Sequence, residues 1–152
     1  MADAFEPRDP GFAERVRESF ARQRFMTTLG ARLVSIAPGA VDVELPFADA
    51  LVQQHGYLHA GAVAAAMDSA CGYAALTLLD EAAAVLTVEF KVDLLEPAAG
   101  ERVVARGRVL RAGRTLTRCR AEAAALAGGA ERHVASMSAT IMAVRDRGAL
   151  RG

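Results

Sequence analysis

Hydrophobic positions change period several times along this chain, and each change marks an element. From Asp9 to Gly30, "DPGFAERVRESFARQRFMTTLG" spaces Phe12, Val16 and Phe20 four residues apart. Asp9 reads as an N-cap, Pro10 as the first helical position and Gly30 as the stop, so an opening helix is predicted over about residues 10–27. "ARLVSIAPGAVDVELPF" then carries two short β-branched runs around Pro38-Gly39, which predicts a hairpin. Residues 53–79, "QQHGYLHAGAVAAAMDSACGYAALTLL", read as one long helix of small apolar residues. After it the period drops to two. Leu86, Val88, Phe90, Val92 and Leu94 alternate with Thr87, Glu89, Lys91 and Asp93, predicting a strand with one buried face that Pro97 and Gly100 end. Three more strands are predicted in "ERVVARGRVLR", in "RTLTRCRAEAAAL" after the turn at Ala112-Gly113, and in "ERHVASMSATIMAV" after Gly128-Gly129. The alanines of the last also suit a helix. The tail "RDRGALRG" is expected to fray.

Helix, two strands, long helix and four strands make an α+β arrangement: an antiparallel sheet of about six strands around a central helix. Without internal repeats or a low-complexity linker, residues 1–152 are expected to form one domain. Ala60, Gly61, Ala62, Ala64, Ala65, Ala66, Ala70, Gly72, Ala74 and Ala75 leave little side-chain bulk, so the sheet can curl closely around the helix. A membrane span is the competing reading of this stretch. Alanine and glycine are weakly hydrophobic, and Asp68 near mid-span would cost roughly 3 kcal/mol or more.

Charge narrows the function. Eighteen basic residues balance eighteen acidic ones, which removes the electrostatic footprint of a nucleic-acid or membrane-surface protein. Only Lys91 is a lysine, and seven arginines cluster between Arg102 and Arg120. Cys71 and Cys119 lack CxxC spacing and neighbouring histidines, so they are expected as buried free thiols and not metal ligands. "MADAFEPRDPGF" lacks the basic start and apolar run of a signal peptide, and cytoplasmic residence is the expectation.

Asp68 is the candidate for chemistry. Its neighbours at i±3 and i±4 are Ala64, Ala65, Cys71 and Gly72, so no local cation compensates it. Buried among apolar residues it would be a costly carboxylate of raised basicity, suited to act as general base or nucleophile. The alternative is a carboxylate that emerges on a solvated face or caps a loop. At the helix start, "QQHGYLHAG" brings glycine, histidines and amides to backbone N–H groups near Ala60 and Gly61 that can hold an oxyanion. Gly61 and Asp68 are seven residues apart, about 10 Å along a helix, so one carbonyl cannot touch both. Two antiparallel copies of the helix would solve this by facing the donors of one to Asp68 of the other.

These residues resemble those of hotdog-fold acyl-CoA thioesterases of the phenylacetate-degradation (PaaI-like) branch. The resemblance rests on Gln53, Gly56, His59-Ala60-Gly61, Asp68 nine residues after the histidine, and "TVEFKVDLLEPAAGE" at residues 87–101; it spans about residues 28–144. Two positions depart from the branch: Gln53 stands where asparagine is usual, and Ala60 replaces a glycine. Glutamine occupies the matching position in hydroxybenzoyl-CoA thioesterases, and Ala60 needs only its backbone N–H. The resemblance implies hydrolysis of an acyl-CoA thioester, with no metal or bound cofactor, by a homodimer or dimer of dimers (a homotetramer). Asp68 would activate water or attack the carbonyl. Ala60 N–H, helped by Gly61, would polarise that carbonyl; Gln53 would orient water or substrate, and Thr87 would stand near the water. Gly56 belongs to the same loop, and His55 would line the pocket. Nine residues at 100° place His59 opposite Asp68, which suits it to fixing the loop. His133 opens a strand and has no assigned role. Arg111 and Arg114, beside the turn glycine, would meet the phosphates of coenzyme A, or else belong with the other arginines to solvated strand faces. A non-catalytic hotdog module that binds acyl thioesters is the rival reading, and a hotdog dehydratase a third.

Overall fold

A computed structural model describes residues 4–146, 148 and 150. The opening segment forms two helices, α1 (Phe12–Arg22) and α2 (Arg24–Leu29), and not the single helix expected. Gln23 separates them with φ −80° and ψ 95°. Asp9 and Pro10 precede the helix, whose N-cap is Gly11. The Asp9 carboxylate accepts the Gly11 N–H at 2.8 Å and pairs with Arg15 at 3.3 Å, so it braces the start of the helix from outside. Gly30, at φ 69°, ends α2 as expected.

Strands β1 (Arg32–Ala37) and β2 (Ala40–Pro46) form the predicted hairpin, with Gly39 at φ 74° in its turn. A 3-10 turn at Asp49–Leu51 leads to helix α3 (Ala60–Leu76), which starts seven residues later than its composition suggests. Residues 53–57 fold as a turn instead. Gly56 sits at φ 85°, which a helix cannot hold, and the Gln53 N–H donates to the Tyr57 carbonyl at 2.8 Å. At the far end of α3 the Arg15 guanidinium donates to the Leu76, Leu79 and Asp80 carbonyls at 2.6–3.0 Å, satisfying acceptors that the helix leaves open.

The four later strands are β3 (Ala84–Leu94), β4 (Arg102–Ala112), β5 (Leu116–Ala127) and β6 (Ala130–Val144). With the hairpin they make a six-stranded antiparallel sheet in the order β1-β2-β4-β5-β6-β3. The alanines of β6 are held extended because the strand is paired on both sides, by β5 and by β3. α3 lies chiefly over β4 and β2, with Ala66, Ala70 and Ala74 fully buried. Small residues set the closeness of that contact: a Cβ on Gly107 of β4 would stand 2.4 Å from the Ala70 carbonyl. Cys71 and Cys119 are free and buried, with the Cys119 Sγ 3.6 Å from the Cys71 carbonyl oxygen.

β3 departs from its predicted pattern in two ways. A bulge at Val88 breaks the alternation, since Thr87 pairs with Ile141 while Glu89 pairs with Thr140. Thr87 therefore shares the helix-side face with Phe90, Val92 and Leu94, and Leu86 falls opposite Met142 on the other side. The apolar face is also not buried: Val88, Phe90 and Leu94 are 55%, 46% and 57% exposed. β3 is the last strand of the sheet; α3 meets it near Val85 and Thr87, and no described strand lies beyond it. None of the helices in the described residues is long and apolar enough to cross a membrane. Of the tail, Arg145 is anchored on Asp80 at 2.7 and 3.0 Å instead of frayed, while Arg147, Ala149, Arg151 and Gly152 lie outside the described residues.

Candidate active site

The start of α3 holds the first half of the site. His59 is its N-cap, and the His59 Nδ1 accepts the Gly61 N–H at 2.8 Å. An accepting Nδ1 puts the proton of a neutral imidazole on Nε2, so this histidine fixes the helix start. The same bond occupies the Gly61 N–H, which the sequence had grouped with the oxyanion donors. Ala60 N–H has no acceptor among the described residues, which leaves it as the available donor at this helix end. The Gln53 side-chain oxygen accepts the His55 N–H, and its amide nitrogen stays free to donate among the described residues. Gln53, His55, His59 and Ala60 line one cavity of about 600 Å³ together with Tyr57 and Leu94. Gly56 shapes the turn without lining that cavity.

The second half lies further along α3. Thr87 Oγ1 donates to Asp68 Oδ1 at 2.6 Å, across the gap between β3 and the helix. The bulge at Val88 turns Thr87 to this face, so strand irregularity and carboxylate belong to one arrangement. Both residues line a cavity of about 350 Å³ that contains none of the helix-start residues. Asp68 is half-buried in the single chain and not enclosed as its sequence neighbours suggest. An edge strand cannot cover a helix from both sides, and among the described residues no strand lies beyond β3. Among the described residues Asp68 has no ion pair.

A polar cluster that the sequence reading missed shares this second cavity. Ser69 Oγ donates to Gln23 Oε1 at 3.0 Å, Gln23 Nε2 donates to the Tyr73 hydroxyl at 3.2 Å, and Ser19 Oγ lies 3.2 Å from the same hydroxyl. Burial holds the Tyr73 phenol above its ordinary pKa. The one available signal was Tyr73 itself, a bulky residue with a polar tip in a helix of alanines.

The arginines divide. Arg106, Arg108 and Arg118 pair with Glu131, Asp42 and Glu89, which places them on a solvated sheet face. Arg111 and Arg114 are exposed at the β4–β5 hairpin without an ion pair among the described residues, and line neither cavity of their own chain.

Residues 55–141 match the family described as the thioesterase superfamily. A thioesterase family protein from Silicibacter pomeroyi is similar in structure with a TM-score of 0.88 and 55% identity, over 90% of this chain and all of that one. The PaaI protein of the phenylacetic acid degradation operon of E. coli superposes with a TM-score of 0.77 over 88% of this chain and 93% of its own, at 18% identity, which speaks to fold alone. A Saccharolobus solfataricus protein named "Putative esterase SSO2140" is 34% identical over 88 residues, 58% of this chain. The match spans 62% of that relative's length.

Proposed function

We propose that this chain, which belongs to the thioesterase superfamily and has its hotdog fold, hydrolyses an acyl-CoA thioester at a site shared between two copies, in the manner of the PaaI-like branch. One observation carries the reading. The donor half, Ala60 N–H and the Gln53 amide, and the carboxylate half, Asp68 with Thr87, stand in separate cavities of one chain. The exposed apolar edge of β3 runs from one to the other, since Thr87 lies in the second cavity and Leu94 in the first. Two β3 edges meeting across a twofold axis would cover Val88, Phe90 and Leu94 and bring each Asp68 toward the partner's helix start.

In that arrangement Thr87 holds one carboxylate oxygen, and the other is left for chemistry. Asp68 either removes a proton from water as that water attacks the thioester carbon, or attacks the carbon itself to give a mixed anhydride that water then opens. Ala60 N–H of the other copy stabilises the oxyanion. The C–S bond breaks and the thiolate leaves, taking up the proton. A panel of aromatic and aliphatic acyl-CoAs with thiol detection tests the activity. No thiol release from any member would favour a binding module instead.

Phe90→Lys should place two like charges in the proposed interface, giving monomers by sedimentation at micromolar concentration and loss of hydrolysis. An active monomer would sink the shared site. Gln53→Ala should lower turnover by one to two orders of magnitude, about 1.4 to 2.7 kcal/mol, because a positioning hydrogen bond is lost and the base is spared. Unchanged kinetics would show that Gln53 serves only its loop. Arg111→Ala with Arg114→Ala should raise KM for acyl-CoA but not for a short thioester lacking the nucleotide, through loss of uniform binding energy. An equal effect on both substrates would return the two arginines to the solvated face.

A further inference from the structure

The cavity beside Asp68 is walled by more than the helix and sheet. Ser19 and Gln23 come from the N-terminal helical segment, outside the residues that match the family. Gln23 reaches the site because the chain leaves helical geometry at that one residue, and its amide then binds Ser69 and Tyr73 on α3. Tyr73 is five residues beyond Asp68, about 7.5 Å further along the helix axis. This polar group therefore stands at the distal end of any acyl group whose carbonyl is beside Asp68 and whose chain enters this cavity.

Proton counting shows what the group can still donate. Ser19, Ser69 and Tyr73 bring one hydroxyl proton each and the Gln23 amide brings two. Three hydrogen bonds join them: Ser69 to Gln23, Gln23 to Tyr73, and one between Ser19 and Tyr73 in whichever direction. Three of the five protons are thereby placed, and two have no acceptor among the described residues. One belongs to the Ser19–Tyr73 pair and the other to the Gln23 amide. The wall therefore keeps two donor protons, beside unused oxygen lone pairs, and an acceptor oxygen on a substrate can take those protons where a hydrocarbon cannot.

We infer that Ser19, Gln23 and Tyr73 select short acyl groups whose far end carries a hydrogen-bond-accepting oxygen, such as a ketone, over purely hydrocarbon acyl groups of the same length. The inference rests on the thioesterase reading above for the position of the carbonyl. A cavity of about 350 Å³ is at the small end for ligand pockets, which agrees with a compact acyl group. Half-burial of Ser19 and Gln23 limits the discrimination well below that of a sealed site, to about tenfold.

The test compares 4-oxopentanoyl-CoA with pentanoyl-CoA. The wild-type protein should hydrolyse the oxo substrate with about tenfold higher kcat/KM. Gln23→Leu combined with Ser19→Ala should bring that ratio to about one, and Ser19→Ala alone should lower it partway. A general loss of folded enzyme scales both substrates alike and leaves the ratio untouched, so the ratio reports the wall and not the stability. Equal rates on the two substrates in the wild type, or a ratio that survives the double substitution, would overturn the inference. The corresponding thioethers, S-(4-oxopentyl)-CoA and S-pentyl-CoA, read the same ratio by titration calorimetry without chemistry. A tenfold affinity difference with no hydrolysis of any acyl-CoA would spare the inference and sink the hydrolase reading; equal affinities would sink the inference.

Discussion

Asp68→Asn should lower turnover by at least roughly three orders of magnitude, about 4 kcal/mol in the barrier, because neither a base nor a nucleophile remains on α3. Affinity for substrate should persist. The asparagine carbonyl can accept the Thr87 hydroxyl as the carboxylate does, so the local geometry survives the change. A charge that the proposed interface would desolvate is removed at the same time, and the melting temperature should hold or rise. Rate and thermal unfolding should be measured on one preparation. Normal hydrolysis by the variant would take Asp68 out of the mechanism, and an unfolded variant would give it a structural role instead. Single turnover of the wild type in ¹⁸O-water bears on the route: label in the Asp68 carboxylate identifies attack by Asp68 with water opening the anhydride at that carbon, whereas label only in the released acid is given by general-base catalysis and by opening at the substrate carbon alike.

Gly107→Ala should be strongly destabilising for the addition of a single methyl group. The new Cβ would stand 2.4 Å from the carbonyl carbon and oxygen of Ala70 and 2.7 Å from the Cys71 nitrogen, all of them backbone atoms of α3. No rotamer change relieves a clash with backbone, so the helix must lift from the sheet along its most tightly packed turn. A loss of about 3 kcal/mol is expected, and with it a fall in melting temperature of roughly 6–12 °C at fixed protein concentration. Gly72→Ala is the contrast. Its Cβ meets only the Val85 side chain at 4.0 Å, and alanine favours the helix, so stability should hold or rise. A Gly107→Ala protein as stable as wild type would mean that α3 can shift on the sheet without cost, and the close-packed account of the core would fail.

Gly107 lies in a segment, "ERVVARGRVLR", whose alternation marks a strand but says nothing of what its glycine meets. The same division runs through the molecule. Helix-forming and strand-forming stretches, the hairpin turn at Gly39, the stop at Gly30 and a carboxylate at position 68 with no cation one helical turn away follow from local steric rules and from periods a few residues long, so the sequence by itself determined them. It also determined that a helix so poor in side-chain bulk could be closely wrapped. Contacts between distant segments are set by register and packing, which no local pattern encodes. Only the tertiary structure decided that Val88 is a bulge and Thr87 the partner of Asp68, because strand pairing with β6 chooses which residue is extra. It alone decided that the apolar stripe of β3 lies open at a sheet edge, since strand order is a property of the whole sheet. It likewise decided that the helix start uses Gly61 for its cap and leaves Ala60 free, and that the opening helix breaks at Gln23. "ARQRF" continues the helical pattern in sequence, and the Gln23 side chain there meets Ser69 and Tyr73 of α3, partners some fifty residues away along the chain.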